Sequence, residues 1–307
     1  MSIIFFGTTD FSAQLLESIL NARHVVELVV TLDDMPAIRG GRTIPTPVKK
    51  FALRNSLPLI QVKSPKEPAL AERIQSLKAK LGVVVAFKIL PKAVYDAPEL
   101  GTINLHPSLL PKLRGPAPVR WAIINGNTET GVSTFRLVDK PDEGNLLLQE
   151  KIAIGPDETW GELNDRIIPL GARILSRTID GLFANSIKPI PQDHTQATKA
   201  PKITKDTTII DWSKTAEEIH NLIRGLAPKP AAVTKYENLP IKILRTKLSN
   251  GNGAPGEILL SDARSGLIVA CGKGAIEITQ LQASGKKLMF TSDYLRGNVL
   301  PLGMKLK

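Results

Sequence analysis

The chain has 307 residues, with 40 Lys and Arg against 29 Asp and Glu, a net charge of +11, 42% hydrophobic and 22% charged residues; this is the composition of a globular protein with room for two cores. A single cysteine, Cys271, excludes an internal disulfide and any multi-cysteine metal site, and four scattered histidines without a His-x-x-x-His pair speak against a zinc enzyme. No apolar run is long enough to cross a bilayer, and Met1 to Gly7 carries no basic segment before the first strand, so a cytosolic protein without signal peptide or membrane partner is expected.

Ser2 to Phe6 reads as a strand buried on both faces. Gly7-Thr8-Thr9 breaks it, and Asp10 is predicted to cap a helix whose Phe11, Leu15, Leu16, Ile19 and Leu20 fall at helical spacing. Val25 to Thr31 follows as the second strand. This is a βαβ unit of an open, doubly wound, mostly parallel α/β sheet. The first turn lacks the Gly-x-Gly-x-x-Gly spacing, so no NAD is expected. Leu32 to Pro47 holds too many breakers for an element and is predicted to be a loop. Arg39 and Arg42 among its glycines suit a grip on phosphates, and suit equally a solvated basic surface.

A helix is predicted over Val48 to Asn55, a short strand at Leu59-Ile60 and an amphipathic helix over Ala69 to Lys80. Leu81 to Ala86 is the most hydrophobic run and reads as a central strand, leaving through a loop at Phe87 to Pro91. Thr102 to Leu105 is predicted as a buried strand entering an irregular loop, because Pro107 and Pro111 forbid a helix there. Asn104 and His106, two apart on an extended backbone, project to the same side. An amide beside an imidazole at the carboxyl end of a strand is a polarising donor next to a proton handler. The plainer reading of an isolated Asn-x-His is a core amide and a surface histidine. Ligands of doubly wound sheets bind beyond the carboxyl ends of central strands, where Ala86-Phe87 and His106-Pro107 should emerge together.

Val119 to Ile124 reads as a helix, and Gly131 to Val138 and Leu146 to Ile154 as strands around a turn crowded with Asp139, Asp142 and Glu143. Turns collect acids for backbone hydrogen bonding alone, so the crowding by itself assigns no chemistry. A long helix is predicted over Trp160 to Leu182. The sequence divides into a Rossmann-like domain over 1–188, a linker over 189–207 rich in Pro, Gln, Thr and Lys, and a second domain over 208–307. That second part opens with a helix, Ala216 to Gly225, capped near Thr215. Five short β-type runs follow, at Ala231 to Tyr236, Ile241 to Leu248, Gly256 to Leu260, Gly266 to Ala270 and Ala275 to Leu281, a rhythm that fits a small OB-like barrel. Residues 205–307 carry +6 of the net charge and residues 1–204 carry +5 over twice the length. A basic C-terminal third points to a polyanion, nucleic acid first, or to a merely solubilising surface.

Several stretches resemble one family in the right order. Phe5-Phe6-Gly7-Thr8-Thr9-Asp10-Phe11, the basic loop Arg39 to Lys49, Asn104-Leu105-His106-Pro107-Ser108-Leu109-Leu110-Pro111 with Arg114-Gly115, Asp142-Glu143-Gly144 and Ile210-Asp211-Trp212-Ser213 together resemble the methionyl-tRNA formyltransferase family along nearly the whole chain. The resemblance implies a formyl donor, 10-formyltetrahydrofolate, an acceptor, initiator methionyl-tRNA, and no metal. It implies a catalytic trio of Asn104, His106 and Asp142. Ser108, Leu109, Leu110 and Pro111 would line the folate site, with Phe87 and Ile89 bordering the pterin. Arg39, Arg42 and Lys49 would contact tRNA, and the second domain would bind it. A monomer is expected. The chain departs from the family pattern where Phe87 to Pro91 is one residue short, where Glu143 replaces a common Thr, and where Leu226 to Pro230 has no Trp.

Competing readings are a folate-dependent N-formyltransferase acting on glycinamide ribonucleotide or an amino sugar, a hydrolase of formyltetrahydrofolate, and a nucleic-acid-binding relative without catalysis. The basic second domain separates the tRNA enzyme from the small-acceptor enzymes. The Asn104, His106 and Asp142 set argues against a purely binding protein.

Overall fold

A computed structural model of the protein describes residues 2–36 and 43–307. The chain falls into two compact units. The first comprises residues 1–115, 131–151 and 166–199, and the second 116–130, 152–165 and 200–307.

The first unit is built on a seven-stranded sheet in the order Leu59–Val62, Val25–Leu32, Ser2–Gly7, Leu81–Val85, Thr102–His106, Glu129–Arg136, Leu146–Ala153. The first five strands run parallel, and Glu129–Arg136 is antiparallel to Thr102–His106. Ile3 to Phe6 and Leu81 to Val85 are buried throughout, as expected for strands covered on both faces. Each fully buried Ile, Leu or Phe here contributes about 1.5–3 kcal/mol over its exposed state. Gly82 is dictated by close approach, since a Cβ there would lie 2.3 Å from the Thr102 hydroxyl on the neighbouring strand. The parallel register pairs Gly7 with Val85 and Val84 with Asn104, so the loops after all three strands open at one end of the sheet.

Two local expectations are corrected. The cap of the first helix, Asp10–Asn21, is Thr9 rather than Asp10: its hydroxyl accepts from Ser12 N–H, and the Ser12 hydroxyl accepts from Thr9 N–H. Asp10 instead sits in the first turn, where a carboxylate still favours the positive end of the helix dipole. The stretch Leu32 to Pro47 is not all loop, for Met35–Pro36 pairs antiparallel with Thr43–Ile44.

The second unit holds an antiparallel sheet in the order Ala232–Tyr236, Leu239–Ser249, Ala275–Ala283, Gly266–Ala270, Ile258–Asp262. Its apolar face packs with Trp212, Ile219, Ile223 and Leu226. The helix Ala216–Leu226 starts from a capping box of Thr215 with Glu218. The two edge strands are bridged by the last residues: Lys235 and Lys307 exchange backbone hydrogen bonds at 2.6 and 2.9 Å, while Gly303 and Met304 bond Ile258. No helix among the described residues is long and apolar enough to cross a membrane.

Candidate active site

Asn104 and His106 lie on the strand Thr102–His106, on the face the alternation predicts. His106 is 5% exposed, which overturns the surface-histidine reading. Its Nε2–H donates to the Leu113 carbonyl at 2.9 Å. Its Nδ1 faces Oδ1 of Asp142 at 3.7 Å. The other carboxylate oxygen, Oδ2, accepts from the Gly115 N–H at 2.9 Å. Both nitrogens of the ring therefore face acceptors, and the ring plane is set from two sides. Asn104 is half-buried and its Oδ1 has no hydrogen-bond partner among the described residues. A buried amide oxygen left unpaired carries a cost that a substrate N–H reaching it would relieve.

The turn that delivers Asp142 is fastened along its length. The Tyr95 hydroxyl donates to Asp139 at 2.5 Å, and this bond is the main reason the phenol is pushed up to about 12. Asp142 has φ of 59°, a left-handed conformation that Asp tolerates better than most residues. Gly144 presses against the strand, where a Cβ would sit 1.6 Å from the Arg136 carbonyl oxygen. Glu143, the second carboxylate next to Asp142, faces Arg114 at 3.3 Å, so its charge is met by a guanidinium. A cleft of about 340 Å³ opens beside Asp142, lined by Arg114, Gly115, Pro141, Glu143 and Ala197 to Lys199.

The loop Ser108 to Pro111 is held by side chains of the adjoining strands. The Ser133 hydroxyl donates to the Ser108 carbonyl at 2.6 Å and accepts from Leu110 N–H at 3.1 Å, and Gln149 Nε2 donates to the Leu110 carbonyl at 2.8 Å. The Ser108 hydroxyl, fully buried, donates to the Lys112 carbonyl at 2.7 Å, and Leu110 is buried, whereas Leu109 and Pro111 are half-exposed. Phe87 is half-buried with its ring 6.0 Å from that of Phe6, and Ile89 is 69% exposed. Lys49 sits in the helix Pro47–Arg54, with its ammonium donating to both oxygens of Asp34 at 2.9 and 2.8 Å. The Lys49 bond, with one from Gln61, holds the Asp34 carboxyl below its usual range. Arg39 and Arg42 lie outside the described residues.

The structure thus brings Asn104, His106 and Asp142 to one place, and adds Leu113 and Gly115 as the backbone partners of the two ionisable groups. Neither has a signature in sequence beyond the Arg114-Gly115 pair between Leu113 and the proline run.

Comparison with known proteins finds two family matches along the chain. The formyl transferase family matches residues 1–179, and the formyl transferase C-terminal domain matches residues 202–299. Methionyl-tRNA formyltransferase of Trichlorobacter lovleyi is 43% identical over 99% of this chain and 96% of its own length. The chain belongs to the methionyl-tRNA formyltransferase family. A second family member, from Alkaliphilus oremlandii, is 42% identical over 99% of this chain and 98% of its own. Solved structures share the fold at lower identity. WlaRD, a sugar 3N-formyl transferase, gives a TM-score of 0.67 at 20% identity, covering 94% of this chain and 99% of its own. HypX from Aquifex aeolicus, solved in complex with tetrahydrofolic acid, gives 0.65 at 17%, covering 95% of this chain and 46% of its own. Membership of this family accounts for the two-domain match and for the signature loop after His106.

Proposed function

We propose that the chain transfers the formyl group of 10-formyltetrahydrofolate to the α-amino group of methionine esterified to initiator tRNA, through Asn104, His106 and Asp142. The placement of His106 between the Leu113 carbonyl and the Asp142 carboxylate, beside an open Asn104 amide, is the observation that carries the mechanism. The methionine nitrogen attacks the formyl carbon, a C–N bond forms, and the bond from that carbon to folate N10 breaks. The amine sheds a proton and N10 gains one. Asn104 presents its amide N–H to the developing oxyanion and its open oxygen to the attacking amine. His106 handles the proton, and Asp142 sets the ring and faces the charge that develops on it. No covalent intermediate with the protein is required.

Ser108 to Pro111, Phe87 and Ile89 are proposed as the folate wall, with Leu109, Pro111, Phe87 and Ile89 offering apolar surface to a pterin. Arg39, Arg42 and Lys49 are proposed to meet tRNA phosphate, and 208–307 to bind tRNA after a linker at 189–207, in a protein acting as a monomer. Full-length relatives named for the tRNA substrate support this acceptor. Phosphoribosylglycinamide formyltransferase of Bacillus halodurans, by contrast, covers 61% of this chain at a TM-score of 0.52. The test offers the enzyme 10-formyltetrahydrofolate with methionyl-tRNA and glycinamide ribonucleotide together. Formylation of the tRNA-borne methionine alone is expected; formylation of the ribonucleotide alone would replace this reading.

A further inference from the structure

Gln192 stands outside every motif above, yet its side chain is 6% exposed and fully engaged. Its Nε2 donates to the Asp142 carbonyl at 2.9 Å and to the Gly144 carbonyl at 2.7 Å. Its Oε1 accepts from Arg114 Nη2 at 2.6 Å. Two amide hydrogens meet two carbonyls, and the amide oxygen meets a cation. The reversed amide would set oxygen against two oxygens and NH2 against a guanidinium, so the orientation is fixed.

The two carbonyls bracket Glu143 and so fix the backbone from which the Asp142 side chain departs. Arg114 lies between Leu113, whose carbonyl takes the His106 N–H, and Gly115, whose N–H holds the Asp142 carboxylate. One buried amide therefore touches both segments that define the His106–Asp142 pair. Its role is separable from tethering the stretch 189–207, because Thr198 does that independently: Leu113 N–H donates to its hydroxyl at 2.8 Å and Arg114 N–H to its carbonyl at 2.8 Å. The turn also keeps a second anchor without Gln192, in the Arg136 N–H to Asn145 carbonyl bond at 3.0 Å.

We propose that Gln192 is a positioning residue, clamping the Asp142 turn to the Arg114 segment so that the carboxylate stands at His106; this rests on the roles given to Asp142 and His106 above. A shift of the carboxylate by a fraction of its present distance misplaces it for a transition state it must face, and losses from such displacement reach about 100-fold.

The test measures kcat and KM for methionyl-tRNA and 10-formyltetrahydrofolate in Gln192→Leu, in Gln192→Glu, in Asp142→Asn and in the Gln192→Leu/Asp142→Asn double variant. Gln192→Glu keeps the size while placing a carboxylate against two carbonyls, so it reads the same clamp should the leucine variant fold poorly. Both single Gln192 variants are expected to lose between about 10- and 100-fold in kcat with KM for either substrate within about twofold. In the Asp142→Asn background the leucine change should cost little more, because no carboxylate is left to position. Full turnover in both Gln192 variants, or an equal loss with and without the Asp142 carboxylate, overturns the inference. Wild-type turnover in Asp142→Asn alone would instead remove Asp142 from the mechanism.

Discussion

Nδ1 of His106 stands 3.7 Å from Oδ1 of Asp142, close enough to feel the charge and too far for a hydrogen bond, while the far side of each group is fixed by backbone at 2.9 Å. The pair is therefore held at a set separation rather than locked together. A proton arriving on the imidazole would gain the carboxylate as a partner after a small closing movement. With Nε2–H committed to the Leu113 carbonyl, Nδ1 is the ring atom left to receive a proton, in the 3.7 Å gap that faces Asp142.

Replacing His106 by Ala removes the proton handler and leaves the Leu113 carbonyl without its donor. Turnover should fall by about 10²–10⁴-fold, with the thermal midpoint lowered only modestly because the strand stays paired on both sides. Steady-state kinetics with a melting curve on the same sample checks both halves. Turnover near wild type would take His106 out of the reaction.

Gly144→Ala puts a Cβ where the Arg136 carbonyl oxygen already sits, at 1.6 Å in the present backbone. The turn must move, and Asp142 moves with it. A loss in kcat of about 100-fold is expected, with KM for folate changing less. A fully active alanine variant would mean that the turn can retreat without disturbing the carboxylate.

Arg39 and Arg42 are the basic residues of the loop that the family resemblance assigns to tRNA, whereas Lys49 already spends its charge on Asp34. The double change of Arg39 and Arg42 to Ala should raise KM for methionyl-tRNA and reduce the slope of log affinity against log salt by about two. Lys49→Ala should act less through salt and more through loss of the Asp34 contact. Binding isotherms at several salt concentrations separate them, and identical slopes in wild type and the double variant would make the loop inert toward tRNA.

His220 gives the second unit a pH-dependent stability. Burial is the leading cause that moves its imidazole below the ordinary 6.5, and the Asp157 carboxylate at 3.3 Å opposes this only weakly because its side chain is 65% exposed. The neutral ring is satisfied on both sides, with Nε2–H donating to the Pro156 carbonyl at 3.2 Å and the Thr246 hydroxyl donating to Nδ1 at 2.9 Å. The unfolded chain thus binds this proton more readily than the folded one, and stability falls as pH drops below about 6.5, levelling once the folded ring also protonates. Denaturant midpoints across pH 8 to 5 should show that loss in wild type and less of it in His220→Gln. An equal acid-side loss in both would place its origin elsewhere.

Much of this was legible because the relevant forces are local. Leu81 to Val85 announces a buried strand by composition, and Thr215 ahead of Ala216 to Gly225 announces a helix start. The alternation around Asn104 and His106 by itself places both on one face. What stayed hidden depends on contacts across long sequence separations. Leu113 and Gly115 act through backbone groups, which carry no residue signature. Gln192 reaches Asp142 from 50 residues away, within a stretch whose Pro, Gln, Thr and Lys content reads as a linker. Thr9 and Asp10 are both good caps, and only the reciprocal bond with Ser12 decides between them.

The central claim is that the formyl carbon leaves folate for the methionine nitrogen of an aminoacyl-tRNA. A single turnover with enzyme in excess, using 10-formyltetrahydrofolate labelled with ¹³C at the formyl carbon, tests it most directly: the ester is then hydrolysed and the released amino acid analysed. Label on the α-nitrogen of methionine, greatly slowed in the His106→Ala enzyme, is the predicted result. Label recovered as free formate, or left on the folate while methionine stays unmodified, would contradict the account.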